Sequence, residues 1–301
     1  MIYTVTFNPA IDYVIHLDGP LQAGVINRTA AEDFQFGGKG INVSGVLQTL
    51  GLESVALGFV AGFTGRALEE GLQKQGIRTD LIHVEQGMTR INVKIKENQE
   101  TEINGMGPQI QPQHMAVLYE KLDALQPGDT LVLSGSIPGC LSQDTYEKIL
   151  ARLEGKGLRT VVDATRALLV NVLKYKPFLI KPNNHELGEI FGVTPQTDKQ
   201  IVTCARKLQA MGARNVLVSL AGDGALLLDE SGATHRIRCP EGKVVNSVGA
   251  GDSMVAGFLA GYLQTGDYRH ALKLGTAAGS ATAFSIALAE EALIRKLMAQ
   301  L

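Results

Sequence analysis

Residues 246–261, Asn-Ser-Val-Gly-Ala-Gly-Asp-Ser-Met-Val-Ala-Gly-Phe-Leu-Ala-Gly, put two glycines and an acid directly ahead of an apolar helical run. At a helix start Gly249, Ala250 and Gly251 present unobstructed N–H groups, and the unpaired donors together with the helix dipole favour an anion. Asp252, the first acid behind them, is within reach of whatever the donors hold, as a general base taking a proton from an attacking hydroxyl must be. The same spacing also describes an Asp cap behind a Gly turn. The complete Gly-Ala-Gly-Asp run, with small residues behind it, favours the chemical reading.

A second constellation is Phe36-Gly-Gly-Lys-Gly-Ile-Asn42. A Walker loop needs four residues between its first glycine and the Gly-Lys pair, and here Gly40 follows Lys39 at once, so a different phosphate geometry is implied. Gly38 lets backbone approach a small ligand, Lys39 offers a point charge, and Asn42 offers a two-sided amide for hydroxyls. In Lys181-Pro-Asn-Asn-His-Glu186, Asn183 and Glu186 are three apart on a helix start. There they suit either a water-shelled magnesium ion or a capping box. Residues 219–228 read as strand, Gly turn and strand. Asp12 ends the first strand region, where open sheets bind ligands, and Arg90 can grip a phosphate with two prongs.

These residues need a scaffold. β-Branched runs at 3–7, 55–60, 130–134, 160–163, 178–181 and 216–220 alternate with helical patterns, which predicts a largely parallel, helix-covered sheet. Residues 16–36 and 82–103 alternate polar and apolar positions, as in Arg-Ile-Asn-Val-Lys-Ile-Lys at 90–96, and predict a small second sheet with one wet face, acting as a lid or dimer surface. The uncharged run 274–289 predicts a buried helix. Apolar residues make up 45% of the 301, and 28 basic against 30 acidic residues leave a net charge of -2. That balance, without a tract of like charge, argues against nucleic acid and membrane partners. Cys140, Cys204 and Cys239 are too far apart for a C-x-x-C pair and odd in number, which fits a reducing cytoplasm. Residues 1–12 carry no basic leader, so a cytoplasmic location is expected.

Taken in order, Gly37-Gly-Lys-Gly-Ile-Asn-Val43 and Val248-Gly-Ala-Gly-Asp252 resemble the two signatures of the PfkB family of ribokinase-like carbohydrate kinases, and the resemblance extends over essentially the whole chain. It implies an α/β three-layer sandwich with a mostly parallel central sheet, formed as one domain over 1–301 with a β-sheet lid at about 12–36 and 82–105. It further implies ATP and Mg²⁺, with Asp252 as base and the amides of Gly249, Ala250 and Gly251 stabilising the transferred group. By the same resemblance Asp12, Gly38, Lys39, Asn42 and Arg90 would bind a sugar phosphate. Lys181, Asn183, Ser219, Gly222 and Gly224 would bind nucleotide, and Asn183 with Glu186 would place the metal. Arg28 would reach a substrate phosphate, of the neighbouring subunit in a homodimer built through the lid sheet. The implied reaction is phosphorylation of fructose 1-phosphate at its 6-hydroxyl, with tagatose 6-phosphate or fructose 6-phosphate as alternative acceptors. Relatives commonly have a glycine near position 287, where this chain has Ala287, which marks the adenine pocket as a point of departure.

Overall fold

A computed structural model describes residues 1–97 and 101–301. In chain order the strands are β1 (Ile2–Thr6), β2 (Ala10–His16), β3 (Ala31–Gly37), β4 (Ser54–Ala61), β5 (Arg78–Thr79), β6 (Ile82–Val84) and β7 (Arg90–Lys96). They continue as β8 (Thr101–Asn104), β9 (Thr130–Ser134), β10 (Arg159–Asp163), β11 (Leu179–Ile180), β12 (Asn215–Ser219), β13 (Ala225–Leu228) and β14 (Thr234–Ile237). The helices are α1 (Lys39–Thr49), α2 (Gly62–Lys74), α3 (Pro112–Asp123), α4 (Thr145–Arg152), α5 (Arg166–Val172) and α6 (Asn184–Phe191). The last four are α7 (Asp198–Ala210), α8 (Ala250–Thr265), α9 (Tyr268–Ala283) and α10 (Glu291–Met298).

The main sheet runs β14-β13-β12-β11-β10-β9-β1-β4-β5, with β6 added against β4. Pairing is parallel from β5 to β12 and antiparallel through β13 and β14. Because successive strand side chains point to opposite faces, each strand feeds two cores. Leu131, Leu133 and Val162 face the layer containing α3 to α7, whereas Val132 and Val161 face α8, α9 and α10. The result is the three-layer α/β sandwich expected from the sequence. From β1 the chain proceeds outward through β4 and then returns to β9 on the other side. This reversal opens a crevice beyond the carboxyl ends of β1 and β9, the place where open α/β sheets bind ligands.

The second sheet has the order β3-β2-β7-β8. β2 pairs antiparallel with β3 and parallel with β7, so Asp12 lies beside Gln35 and Asn92 on one face, and Tyr13 beside Phe34 and Val93 on the other. Near the main body Ile11 joins a small core with Ile41, Val60, Leu68 and Leu72, against which Phe36 and Ile91 pack.

Four expectations need correction. Residues 82–84 belong to the main sheet: Ile82 and Val84 are buried in its core and only His83 faces water, so the small sheet resumes at Arg90. Part of that second excursion, residues 98–100, lies outside the described residues. The strand at 216–220 leads into the hairpin read at 219–228, Val216 pairing with Leu228, and not into a helix, while the first excursion has its strands at Ala10–His16 and Ala31–Gly37 with a loop at 17–30 between them. The helix expected at 274–289 ends at Ala283, because the Thr282 hydroxyl accepts the Ala289 N–H and bends the chain back.

Candidate active site

Two helix starts meet in the crevice. α1 begins at Gly38, whose φ of 135° is open only to glycine, and a Cβ there would stand 2.5 Å from Thr6 Cγ2. α8 begins across the cavity at Gly249, in the left-handed region with φ 78°. That turn directs the Ala250 N–H onto the Ser247 carbonyl at 3.2 Å. Of the three amides expected to hold an anion, Ala250's is therefore engaged in the turn, and those of Gly249 and Gly251 have no acceptor among the described residues.

The side chains behind these turns form one chain of charges. Asp252 is buried in the first turn of α8, its Oδ2 accepting from Asn42 Nδ2 at 2.8 Å and its Oδ1 lying 3.5 Å from Lys39 Nζ. Oδ1 is itself buried and, beyond its ion pair with Lys39, has no hydrogen-bond partner among the described residues. Lys39 donates to Asp163 Oδ2 at 3.0 Å, and Asp163 Oδ1 lies 3.3 Å from Lys181 Nζ. Burial, with the Asp163 charge in support, raises the Asp252 carboxyl above its ordinary value despite Lys39, Asn42 and Lys181. For Asp163 burial pushes the same way, but Lys181 and Lys39 overcome it and hold this carboxyl low. Two neighbouring acids are thus driven apart, the higher one being suited to take a proton. Burial opposes the charge on Lys39, yet Asp163 and Asp252 prevail and keep it protonated.

On the lid side Asp12 is pinned by both oxygens, Oδ1 accepting from Asn92 Nδ2 at 2.8 Å and Oδ2 lying 3.0 Å from Lys94 Nζ. Arg90 spends its Nε on the Asn8 carbonyl at 3.1 Å. On the far side Asn183 and Glu186 close a reciprocal capping box, each side chain accepting the other's N–H at 2.8 Å. The capping reading of this pair is therefore realised in the structure.

A cavity of about 1000 Å³ contains Asp12, Gly38, Lys39, Asn42, Arg90, Lys181, Asn183, Glu186, Ser219, Gly249, Gly251 and Asp252 in its walls. Gly222 and Gly224 are outside it: they make the β12–β13 turn, and a Cβ on Gly224 would stand 2.2 Å from the Ile237 carbonyl oxygen. Arg28 is exposed in the loop between β2 and β3. Asp163, Asn92 and Lys94 were missed by motif reading. Asp163 could have been found as an acid closing the β-branched run Thr-Val-Val at 160–162, the same signal that marks Asp12.

A doubly wound sheet whose switch-point crevice holds two glycine-led helix starts and an acid–lysine chain defines an α/β phosphate-handling enzyme. The chain belongs to the pfkB family of carbohydrate kinases, matched over residues 5–292. It is 46% identical to 1-phosphofructokinase of Bacillus subtilis, over 99% of this chain and 97% of that protein. To D-tagatose-1-phosphate kinase of Bacillus licheniformis it is 39% identical, over 96% of this chain and 95% of that protein. Among solved structures, phosphofructokinase-2 from Escherichia coli in complex with substrates and products superposes with a TM-score of 0.93 at 26% identity, covering 99% of this chain and 98% of that one. No helix among the described residues is long and apolar enough to cross a membrane.

Proposed function

We propose that this kinase transfers the γ-phosphoryl group of ATP to the 6-hydroxyl of fructose 1-phosphate, giving fructose 1,6-bisphosphate. The observation that carries the reading is the buried Asp252, with one oxygen that makes no hydrogen bond, at the start of α8 and in one cavity with the lid's Asp12 and Arg90. Asp252 takes the hydroxyl proton as the oxygen attacks, and the Gly251 N–H and Lys181 face the charge that develops on the transferred group. Arg90, its Nε already anchored, offers its remaining nitrogens to the resident phosphate. Asp12, fixed by Lys94 and Asn92, accepts from sugar hydroxyls. Lys181, Asn183 and Ser219 meet the nucleotide. The lid sheet keeps out water that would otherwise take the phosphoryl group.

Mg²⁺ fits as an ion held mainly by nucleotide phosphates and water. The described residues contain no cluster of three or more His, Cys, Asp or Glu able to cage a metal, and Mg²⁺ ordinarily takes few protein ligands. Glu186, with one oxygen outside the capping box, and Asn183 would hold it; the ion would neutralise phosphate charge. Phe34 and Ile103, exposed at 66% and 60% on the lid face opposite Asp12, give a homodimer its contact surface. A need for ATP supports a cytoplasmic location.

Tagatose 1-phosphate is the second reading, favoured by the 39% identical relative named for it. The two sugars differ in configuration at one carbon and carry the phosphate at the same end, so Arg90 serves both. A coupled assay of ADP release with fructose 1-phosphate, tagatose 1-phosphate, fructose 6-phosphate and tagatose 6-phosphate decides. Highest kcat/KM on either 6-phosphate would overturn the assignment.

A further inference from the structure

Asp163 takes no direct part in the transfer described above, yet it is the hub of the charges around it. It closes β10, is only 4% exposed, and gives one oxygen to each of two lysines. Those lysines serve different neighbours. Lys39 Nζ stands beside Asp252, whereas Lys181 Nζ lies 3.1 Å from where a Cβ on Gly251 would be, under the first turn of α8. Burying such a network costs much of what the ion pairs return, and apolar packing would stabilise the sheet as well. A lysine is moreover a point charge on a flexible stem, with no preferred direction of its own. Something must fix where each ammonium stands.

We propose that Asp163 is a positioning residue for phosphoryl transfer, a single carboxylate that holds Lys39 at the base and Lys181 under the α8 start. The proposal rests on the reading in which Lys39 meets the sugar phosphate and Lys181 the nucleotide. Asp252 is faced by Lys39 and Asn42 from α1, by Asp163 from the end of β10 and by Lys181 from beyond β11. Glu186 from α6 bears on Lys39.

The test is Asp163→Asn, alone and combined with Lys39→Met, read as KM for fructose 1-phosphate, KM for ATP and the pH dependence of kcat/KM. D163N should raise both KM values about tenfold or more, since misplacement by about 1 Å is enough for such losses. It should also move the acid limb to higher pH, because a Lys39 no longer held beside Asp252 takes away more support for that carboxylate than the loss of the Asp163 charge returns. In the K39M background D163N should add nothing to the sugar KM and still raise the ATP KM. A D163N enzyme that melts earlier but keeps both KM values and the acid limb within about twofold of the parent would make Asp163 merely structural. Should D163N alone not fold, the charge-balanced D163N/K39M pair carries the test: an ATP KM equal to that of K39M overturns the proposal. A K39M enzyme with an unchanged sugar KM would instead remove the underlying reading of Lys39.

Discussion

Replacing Asp252 by Asn separates the base from the scaffold. The side chain is nearly isosteric, and its carboxamide oxygen can still accept the Asn42 N–H that Asp252 Oδ2 accepts now at 2.8 Å. The new NH₂ then faces Lys39, which retreats to Asp163, already its closer partner at 3.0 Å against 3.5 Å. Fold and nucleotide binding should therefore survive. No second base stands ready, because Asp163, the nearest other acid in the charge chain, is held low by two lysines and is a poor proton acceptor. General-base catalysis contributes roughly 10²–10⁴-fold, which corresponds to about 3–5 kcal/mol of barrier. The expected result is a kcat at least ~10²-fold lower with an ATP dissociation constant close to the parent's. The assays are coupled ADP release on purified protein, calorimetric ATP binding and a thermal melt. A kcat within about tenfold of the parent, from a folded variant, would refute the role of Asp252.

Four further outcomes are expected. The parent's kcat/KM should fall on the acid side at a pH above the usual carboxylate value of about 4, since burial raises Asp252 and activity is lost as pH drops through that raised value; Lys39→Met, which removes a charge favouring ionisation, should move that limb further up, and a downward move would contradict the electrostatics. Arg90→Ala should raise the KM for fructose 1-phosphate far more than the KM for ATP, and equal effects would remove it from the phosphate site. Gly38→Ala combines a φ of 135° with a 2.5 Å clash at Thr6, and should lower stability in a chemical melt by about 1–3 kcal/mol. Phe34→Asp should shift a dimer toward monomer in light scattering, while an unchanged mass would place the self-association surface elsewhere.

The three-layer sandwich was legible because parallel strands buried on both faces read as apolar β-branched runs, as at 130–134 and 160–163. The two helix starts were legible because glycines next to Lys39 and Asp252 have few other uses. The ion chain was harder to see. Lys39, Asp163, Lys181 and Asp252 sit at the ends of different elements, and only the sheet order β11-β10-β9-β1 brings them together. Residues 82–84 misled for a related reason: an apolar, polar, apolar alternation shows that one face is wet without showing which sheet supplies the dry one. At 284–289 the absence of charge looked helical, and a hydroxyl seven residues back, Thr282, decided otherwise.

The alternation of faces in the lid sheet makes the enzyme's tolerance to length changes uneven. Adding one residue inside β2 would invert every position beyond it, sending Asp12 outward and Tyr13 toward the sugar, whereas adding two would restore the orientation. The connection at residues 17–30, exposed throughout apart from Leu17, has no such parity to keep. Natural insertions and engineered tags should accordingly accumulate there, and the short strand carrying Asp12 should keep its length.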